Sequence, residues 1–182
     1  MTILNDAARR TLTSGRLAHL VTLDPDGAPQ VSCVYVGLDG DDIVCGHLAE
    51  YRKVRNVRND GRVALSMEAE GAAAPGFDNY LVVSGTARVE EGGAPEVLRR
   101  LTVDYFGPDA GFPPPGAPEG YVTRITPESV YGTGPWAAPV AAVDEVLLTR
   151  HRHGSRQVPR RSTGRWRGPP PRGGAAGGRW RR

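Results

Sequence analysis

The chain has 182 residues, of which 39% are hydrophobic and 24% charged, a composition that allows one domain with its own hydrophobic core. Only two cysteines are present, Cys33 and Cys45, which excludes a disulfide framework and the paired thiols of a zinc ribbon. The apolar runs are too short to span a bilayer, and the first residues include Asp6, Arg9 and Arg10 rather than the apolar stretch of a secretory signal. We therefore expect a soluble cytoplasmic protein without a membrane partner.

The net charge of +3 conceals two segments of opposite charge. Residues 1–149 carry 12 Lys and Arg against 20 Asp and Glu, a net charge of −8, whereas residues 150–182 carry 11 Arg and no acid, a net charge of +11. The basic isoelectric point therefore belongs to the tail, and it does not make the main domain a nucleic-acid-binding one.

The tail, residues 150–182, is rich in Arg, Gly and Pro and lacks hydrophobic periodicity, so we expect it to be disordered. Its abrupt loss of acidic residues is typical of a GC-rich gene translated in a shifted frame, and we favour that interpretation. The alternative is an RNA-binding arm in which arginines neutralise phosphates and Trp166 and Trp180 stack on bases. We predict a domain over residues 1–138 and an extension over residues 139–182, and we do not favour a nucleic-acid partner.

Hydrophobic periodicity within the domain predicts several strands and a few helices. In chain order the predicted elements are a helix at 4–12, strands at 16–23, 29–38 and 43–47, a helix at 50–60, strands at 62–69 and 80–90, a helix at 94–105, and strands at 121–125 and 129–131. The stretches between them are expected to be turns and loops, including an Ala- and Gly-rich loop before residue 80 and a Pro- and Gly-rich loop at 107–119. Six or more antiparallel strands with peripheral helices predict an α+β, mainly β, fold, a closed or split β-barrel.

Three common kinds of site are not supported by the sequence. A nucleophilic triad would have only His19 and His47 as bases within the domain, and no G-x-S-x-G turn is present. Cys33, Cys45 and His47 match no metal-ligand spacing, so we predict no metal site. The glycines do not stand between a strand and a helix, as a Rossmann or Walker phosphate loop requires.

A cationic cluster opens the predicted helix at 50–60, within an otherwise acidic domain. It begins with the adjacent pair Arg52 and Lys53 and continues with Arg55, Arg58 and Arg62. Free backbone N–H groups and the positive end of the helix dipole favour an anion at this position, and two cationic side chains strengthen that preference. The residues alone leave open whether this is an anion site or a solvated helix face.

Residues 15–67 resemble the split-barrel flavin-binding family named after pyridoxamine 5′-phosphate oxidase. The order of the motifs carries the resemblance: a strand, a D-P-D-G turn, a P-Q-V-S strand, an acidic turn, and R-K-V-R-N-x-R-x-D-x-R-V-A-L. The stretch P-E-S-V-Y-G-T-G-P-W extends it, so that it covers about residues 4–138. More narrowly, the chain resembles the actinobacterial branch that uses the deazaflavin coenzyme F420.

The resemblance implies an oxidoreductase that transfers a hydride between coenzyme F420, or alternatively FMN, and a small organic acceptor. It implies cofactor contacts at the ring from Gln30, Val31, Ser32 and Val34, at the ribityl chain from His47, Leu48 and Ala49, at the phosphate from Arg52 and Lys53, and further contacts from Asn56 and from Trp136 across a homodimer interface. No catalytic residue is assigned, because the cofactor itself carries the hydride. The alternatives are an FMN-dependent enzyme similar to pyridoxamine 5′-phosphate oxidase and a non-catalytic flavin or F420 carrier.

Overall fold

Residues 3–74 and 77–136 are described by a computed structural model, and within them the chain forms three helices and seven strands. In chain order these are α1 (Asp6–Leu12), β1 (Ala18–Leu23), β2 (Pro29–Val34), β3 (Gly37–Asp39), β4 (Asp42–His47), α2 (Arg52–Asn59), β5 (Arg62–Ala74), β6 (Phe77–Glu91), α3 (Ala94–Phe106) and β7 (Tyr121–Thr133). The strands form one antiparallel sheet in the order β2-β1-β5-β6-β7-β4-β3. The mainly β class predicted from the sequence is confirmed.

The sheet curls on itself because its two edge strands follow one another in the chain. The strand predicted at 29–38 is in fact two strands: β2 ends at Val34, β3 begins at Gly37, and they lie at opposite ends of the sheet. Three Cα–Cα steps span at most about 11 Å, so the two edges must approach each other. The Tyr105 hydroxyl ties this link, since it accepts from the Val36 amide at 3.0 Å and donates to the Arg16 carbonyl at 2.7 Å. The result is a split β-barrel.

The hydrophobic core lies inside the curled sheet. Leu20 on β1 is in register with Leu65 on β5, and Leu65 with Val83 on β6, and all three side chains are fully buried. One apolar layer therefore crosses three adjacent strands. Alternate residues of each strand point outward, away from this layer. On β1, for example, His19 is exposed between the buried Ala18 and Leu20.

The Ala- and Gly-rich stretch before residue 80, expected to be a loop, is largely strand. β5 continues to Ala74 and β6 begins at Phe77, and the register between them shifts around residues 68–74. Pairing between the two strands outweighs the weak β-propensity of Ala and Gly, because each strand supplies the hydrogen-bond partners of the other.

β7 also differs from the prediction, since it runs unbroken where two short strands were expected. Pro127 lies opposite Gly85 at a register shift in the β6–β7 pair. A Cβ atom at Gly85 would lie 2.2 Å from the carbonyl oxygen of Thr126, so the two strands can approach here only because residue 85 is glycine. The irregularity accommodates the proline without ending the strand.

The predicted extension at residues 139–182, with its expected disorder from about residue 150, lies outside the described residues. In the part that is described, no helix is both long enough and apolar enough to cross a membrane.

Replacing Leu65 with alanine should lower the free energy of unfolding by about 2 to 5 kcal/mol, because the side chain is removed from a fully buried position. Val103, half-exposed on α3, is the control, and Val103→Ala should change the free energy by less than about 0.5 kcal/mol. Urea unfolding followed by circular dichroism measures both. Equal losses in the two variants would contradict the assignment of the core.

Candidate functional site

A cleft lies where the ends of β2 and β4 meet the beginning of α2. Its volume is about 180 Å³, and it is lined by Cys33, Val34, Tyr35, Gly46, His47, Leu48, Tyr51, Lys53, Leu98 and Phe112. Four of the residues predicted to hold a cofactor are therefore brought together: Val34, His47, Leu48 and Lys53. Val34 and His47 end two strands, Leu48 directly follows β4, and Lys53 is on a helix. These elements meet because the barrel closes at the β2–β3 link.

Lys53 supplies the positive charge of this cleft. Its ammonium group lies 4.9 Å from the centre of the Tyr51 ring, and its side chain is half-buried. Burial lowers the pKa of Lys53 from its usual value, although nearby thiols oppose the effect. Among the described carboxylates none forms an ion pair with it, so Lys53 can bind an anionic group without first giving up such a pair.

Arg52, the other member of the predicted pair, is already engaged. Its Nε donates to Oδ1 of Asp24 at 2.8 Å, and its Nη2 donates to Oδ2 of the same carboxylate. This bidentate pairing raises the pKa of Arg52 and, together with the amide of Asn56, lowers the pKa of Asp24. Arg52 also does not line the cleft, so the two cations of the pair are not equivalent.

The remaining arginines of the cluster are engaged as well. Arg58 forms ion pairs with Glu50 and Glu91. Arg55 donates to the backbone carbonyl of Glu50 at 2.7 Å, and the guanidinium of Arg62 lies 2.6 Å from a carboxylate oxygen of Asp60. Most of the positive charge read from the sequence is thus neutralised locally.

Asn56, which was predicted to contact the cofactor, lies on the buried side of α2 and is not exposed in the cleft. Its Nδ2 donates to Asp24 Oδ1 at 2.9 Å and to Thr22 Oγ1 at 3.1 Å. Thr22 Oγ1 in turn lies 3.0 Å from Gln30 Oε1. Asn56 therefore joins the first hairpin to α2, and a ligand would contact it only through its neighbours.

The four predicted residues on β2 do not share one face. Gln30, Ser32 and Val34 are in register with the buried side of β1, whereas Val31 points to the opposite, exposed face. The Ser32 hydroxyl oxygen is buried and has no hydrogen-bond partner among the described residues. An unsatisfied buried hydroxyl is costly, so this face of β2 suits a ligand that carries a hydrogen-bonding group.

The side chain of His47 is buried and neutral at physiological pH. Its Nε2 lies 3.1 Å from Thr123 Oγ1 and 3.6 Å from the Cys45 sulfur. Burial, reinforced by the positive charge of Lys53, lowers the pKa of His47 from 6.5 to about 4, and burial raises the pKa of Cys45 to about 12. Neither group is therefore ionised near neutral pH.

Two further predicted residues lie away from the Lys53 cleft. Trp136 packs into the core, donates from Nε1 to the Tyr80 carbonyl at 3.2 Å, and lines a separate cleft of about 250 Å³ next to α1. Ala49 lines a third cleft, of about 350 Å³, beside Gly120. The single chain thus brings neither residue to the cleft at the end of β2.

Sequence reasoning missed several residues of the site: Thr22, Asp24, Cys33, Tyr51, Leu98 and Phe112. Asp24 was interpreted only as a turn residue, because Arg52 is 28 positions further along the chain. Phe112 comes from the loop after α3, and no local signal connects that loop to β2. Within residues 3–74 and 77–136, no group of three or more His, Cys, Asp or Glu side chains is arranged to hold a metal ion.

The curled antiparallel sheet with its peripheral helices is the fold of the split-barrel proteins. The sequence model of the pyridoxamine 5′-phosphate oxidase family matches residues 4–134, and the chain belongs to that family. The family likeness proposed from the motifs is confirmed. No curated protein matches the sequence significantly.

Solved structures share the fold at low sequence identity. An F420 reductase is 23% identical with a TM-score of 0.57, over 70% of this chain and 98% of the other. A conserved hypothetical protein from Mycobacterium tuberculosis is 22% identical with a TM-score of 0.56, over 71% and 84% of the two chains. HupZ from Group A Streptococcus is 17% identical with a TM-score of 0.52, over 71% and 94%.

The buried imidazole predicts a pH-dependent stability. The unfolded chain binds a proton at His47 below about pH 6.5, whereas the folded chain does so only near pH 4. The free energy of unfolding is therefore not reduced by this group above pH 6.5. Between pH 6.5 and pH 4 it falls by about 1.4 kcal/mol per pH unit, about 3 kcal/mol in total. Urea unfolding from pH 7 to pH 4 should show this slope in the wild type and a shallower one in His47→Gln.

The exposed His19 provides the control for this measurement. His19→Gln should keep the wild-type slope, because the buried imidazole is still present. If the slope were lost in His19→Gln and kept in His47→Gln, the pH dependence would come from His19, and the prediction would be wrong.

Proposed function

We propose that the protein is an oxidoreductase that transfers a hydride between coenzyme F420 and a small organic acceptor. The observation that carries the proposal is Lys53, a half-buried ammonium without a carboxylate partner in the described structure, at the base of a cleft walled by β2. The unpaired Ser32 hydroxyl on the same strand supports the binding of a polar ring beside it. Two free cysteines, Cys33 and Cys45, agree with a reducing compartment and support a cytoplasmic location.

The cofactor, when bound, supplies the hydride chemistry, and the residues of the chain bind and orient it. Lys53 and the uncapped first turn of α2 would hold its phosphate, since the Tyr51 side chain makes no capping hydrogen bond there. The β2 face of Gln30, Ser32 and Val34 would contact the ring. Tyr35 and Phe112 would exclude water from one end of the cleft.

FMN is the alternative cofactor, since it also combines a ring, a ribityl chain and a phosphate. The structural likeness to an F420 reductase supports the deazaflavin. The longer acidic tail of F420 would need further positive charge, and Arg55 is better placed to provide it than Arg58, which is already paired with two carboxylates. The direct test is a fluorescence titration of the purified protein with both cofactors in the same buffer, where tighter binding of F420 is the expected result.

Turnover separates an enzyme from a non-catalytic carrier. Reduced F420 bound to the protein should be reoxidised when enone or quinone acceptors are added. A cofactor that binds but exchanges no hydride with any acceptor would favour the carrier.

We also propose that the site is completed by a second copy of the chain. A volume of about 180 Å³ is below the roughly 300–1,000 Å³ typical of ligand pockets, so one chain encloses only part of a cofactor. The outward face of the sheet leaves large apolar side chains in water: Val31 is 58% exposed, Tyr131 49% and Tyr80 45%. Pairing of these faces in a homodimer would cover them and add a second wall to the cleft.

The unequal roles of the cationic pair lead to a prediction about binding. Lys53→Gln should weaken the binding of F420 or FMN at least tenfold, because a hydrogen bond to a charged phosphate is lost. Arg52→Gln should weaken it less, because that guanidinium is engaged by Asp24. Fluorescence titrations at low and high salt measure both variants, and equal losses would show that the two cations contact the phosphate alike.

The homodimer is tested by a charge placed on the outward sheet face. Tyr131→Glu should convert the dimer to a monomer and weaken cofactor binding, because the new carboxylate would have to be buried in a covered apolar surface. Val103→Glu, on an equally exposed position of α3, is the matched control and should leave the dimer intact. Analytical ultracentrifugation gives the result, and a wild-type monomer that binds cofactor normally would overturn the proposal.

A further inference from the structure

Four polar side chains form a continuous hydrogen-bond relay from the first hairpin turn to β2. Asp24 accepts from Asn56 at 2.9 Å, Asn56 donates to Thr22 at 3.1 Å, and the Thr22 hydroxyl lies 3.0 Å from Gln30 Oε1. Asp24, Asn56 and Thr22 are all buried, and Gln30 is half-buried. The relay therefore runs from a carboxylate in the interior to a side chain at the proposed ring face.

The donor and acceptor roles of each side chain in the relay are fixed by its neighbours. The Asp24 carboxylate is ionised, since its hydrogen bonds to Arg52 and Asn56 lower its pKa, and an ionised carboxylate only accepts. Asn56 must therefore turn its NH₂ group toward Asp24, and the second hydrogen of that group goes to Thr22. The Thr22 hydroxyl, having accepted, donates its single hydrogen onward to Gln30.

The last step decides the orientation of the Gln30 amide. Only the carbonyl oxygen of Gln30 can accept from Thr22, so the NH₂ group faces away from the relay. The reverse orientation would remove the acceptor that the fully buried Thr22 hydroxyl has in this structure. One Gln30 hydrogen bonds to the Val31 carbonyl at 2.9 Å, and the other has no acceptor in the described structure.

We propose that this relay makes Gln30 a dedicated hydrogen-bond donor to the acceptor edge of a planar ring, and that Asp24, Asn56 and Thr22 are its positioning residues. The ligand class is a planar heterocycle that carries a carbonyl oxygen or an unprotonated ring nitrogen. The inference rests on the proposed cofactor-binding function and deepens it, because it assigns the polarity of one contact. Ser32, on the same face two residues further along β2, adds a hydroxyl with no partner in the described residues.

The test compares two substitutions of Thr22. Thr22→Val keeps the shape of the side chain and removes the hydroxyl, whereas Thr22→Ser keeps the hydroxyl. Thr22→Val should weaken the binding of FMN and F420 about tenfold and shift the absorption spectrum of the bound ring, because the Gln30 amide is free to turn. Thr22→Ser should restore the affinity and the spectrum to wild-type values.

Competition by inorganic phosphate distinguishes a loss of the ring contact from general damage to the site. Its inhibition constant against FMN should be the same in the wild type and in Thr22→Val, since Lys53 is untouched. If Thr22→Val does not fold, Gln30→Met replaces a half-buried side chain by one of similar length without a donor, and it should produce the same tenfold loss. Unchanged affinity and spectrum in Gln30→Met would overturn the proposal.

A measurement without cofactor separates this inference from the proposed function. The side-chain NH₂ of Gln30, observed by nitrogen-15 NMR, should exchange slowly with water in the wild type and in Thr22→Ser and faster in Thr22→Val. Failure of the wild type to bind FMN or F420 would remove the proposed function, whereas identical exchange in all three proteins would remove the relay.

Discussion

The short link between β2 and β3 is the constraint on which the rest of the structure depends. Tyr35 and Val36 are all that separate two strands at opposite edges of a seven-stranded sheet, so the sheet cannot remain open. Closing it brings the end of β2 against the end of β4. Because α2 begins five residues after β4 ends, its first turn also lies at this junction, and the cleft forms where the three meet. The site is a consequence of how the barrel closes.

The cations around this junction differ in whether they have a carboxylate partner. An acidic domain can neutralise most of its arginines, and three of the four in the cluster near α2 are paired with carboxylates. Lys53 differs because its neighbours are an aromatic ring, thiols and apolar side chains. A half-buried cation that lacks a counter-ion is unfavourable by itself, and an anionic ligand at the same place removes that cost. The unpaired lysine therefore indicates binding more clearly than the whole run of basic residues does.

How much the sequence predicted depends on whether the determining contacts are local. The hairpin of β1 and β2, the extent of α3 and the burial of Val54 and Val57 on α2 follow from periodicity and turn residues close in the chain. The strand character of residues 70–74 does not, because it depends on pairing with β6. The position of Trp136 in the core next to Tyr80 likewise depends on residues 56 positions apart.

The candidate site shows the same limit within a single motif. Their adjacency in the sequence predicted one role for Arg52 and Lys53, but the helix turns them toward different surroundings. Asp24 pairs with Arg52, whereas Lys53 lines the cleft. Val31 and Ser32 were likewise grouped together, although adjacent residues of a strand point to opposite faces. A motif indicates which segments of the chain form the site, and the register and the long-range partners decide which of their side chains can reach a ligand.

The contacts of Asp24 also bear on the free energy of binding. With its carboxylate shared between Arg52 and Asn56, α2 is anchored to the first hairpin before any ligand is present. The first turn of α2 and the Lys53 that it carries are then already in place beside β2. A ligand that binds to an ordered site loses less affinity to the ordering of side chains and backbone than one that must fold the site around itself. In the proposed site, the neutralised arginine would therefore contribute to binding as an anchor of the helix that presents the lysine.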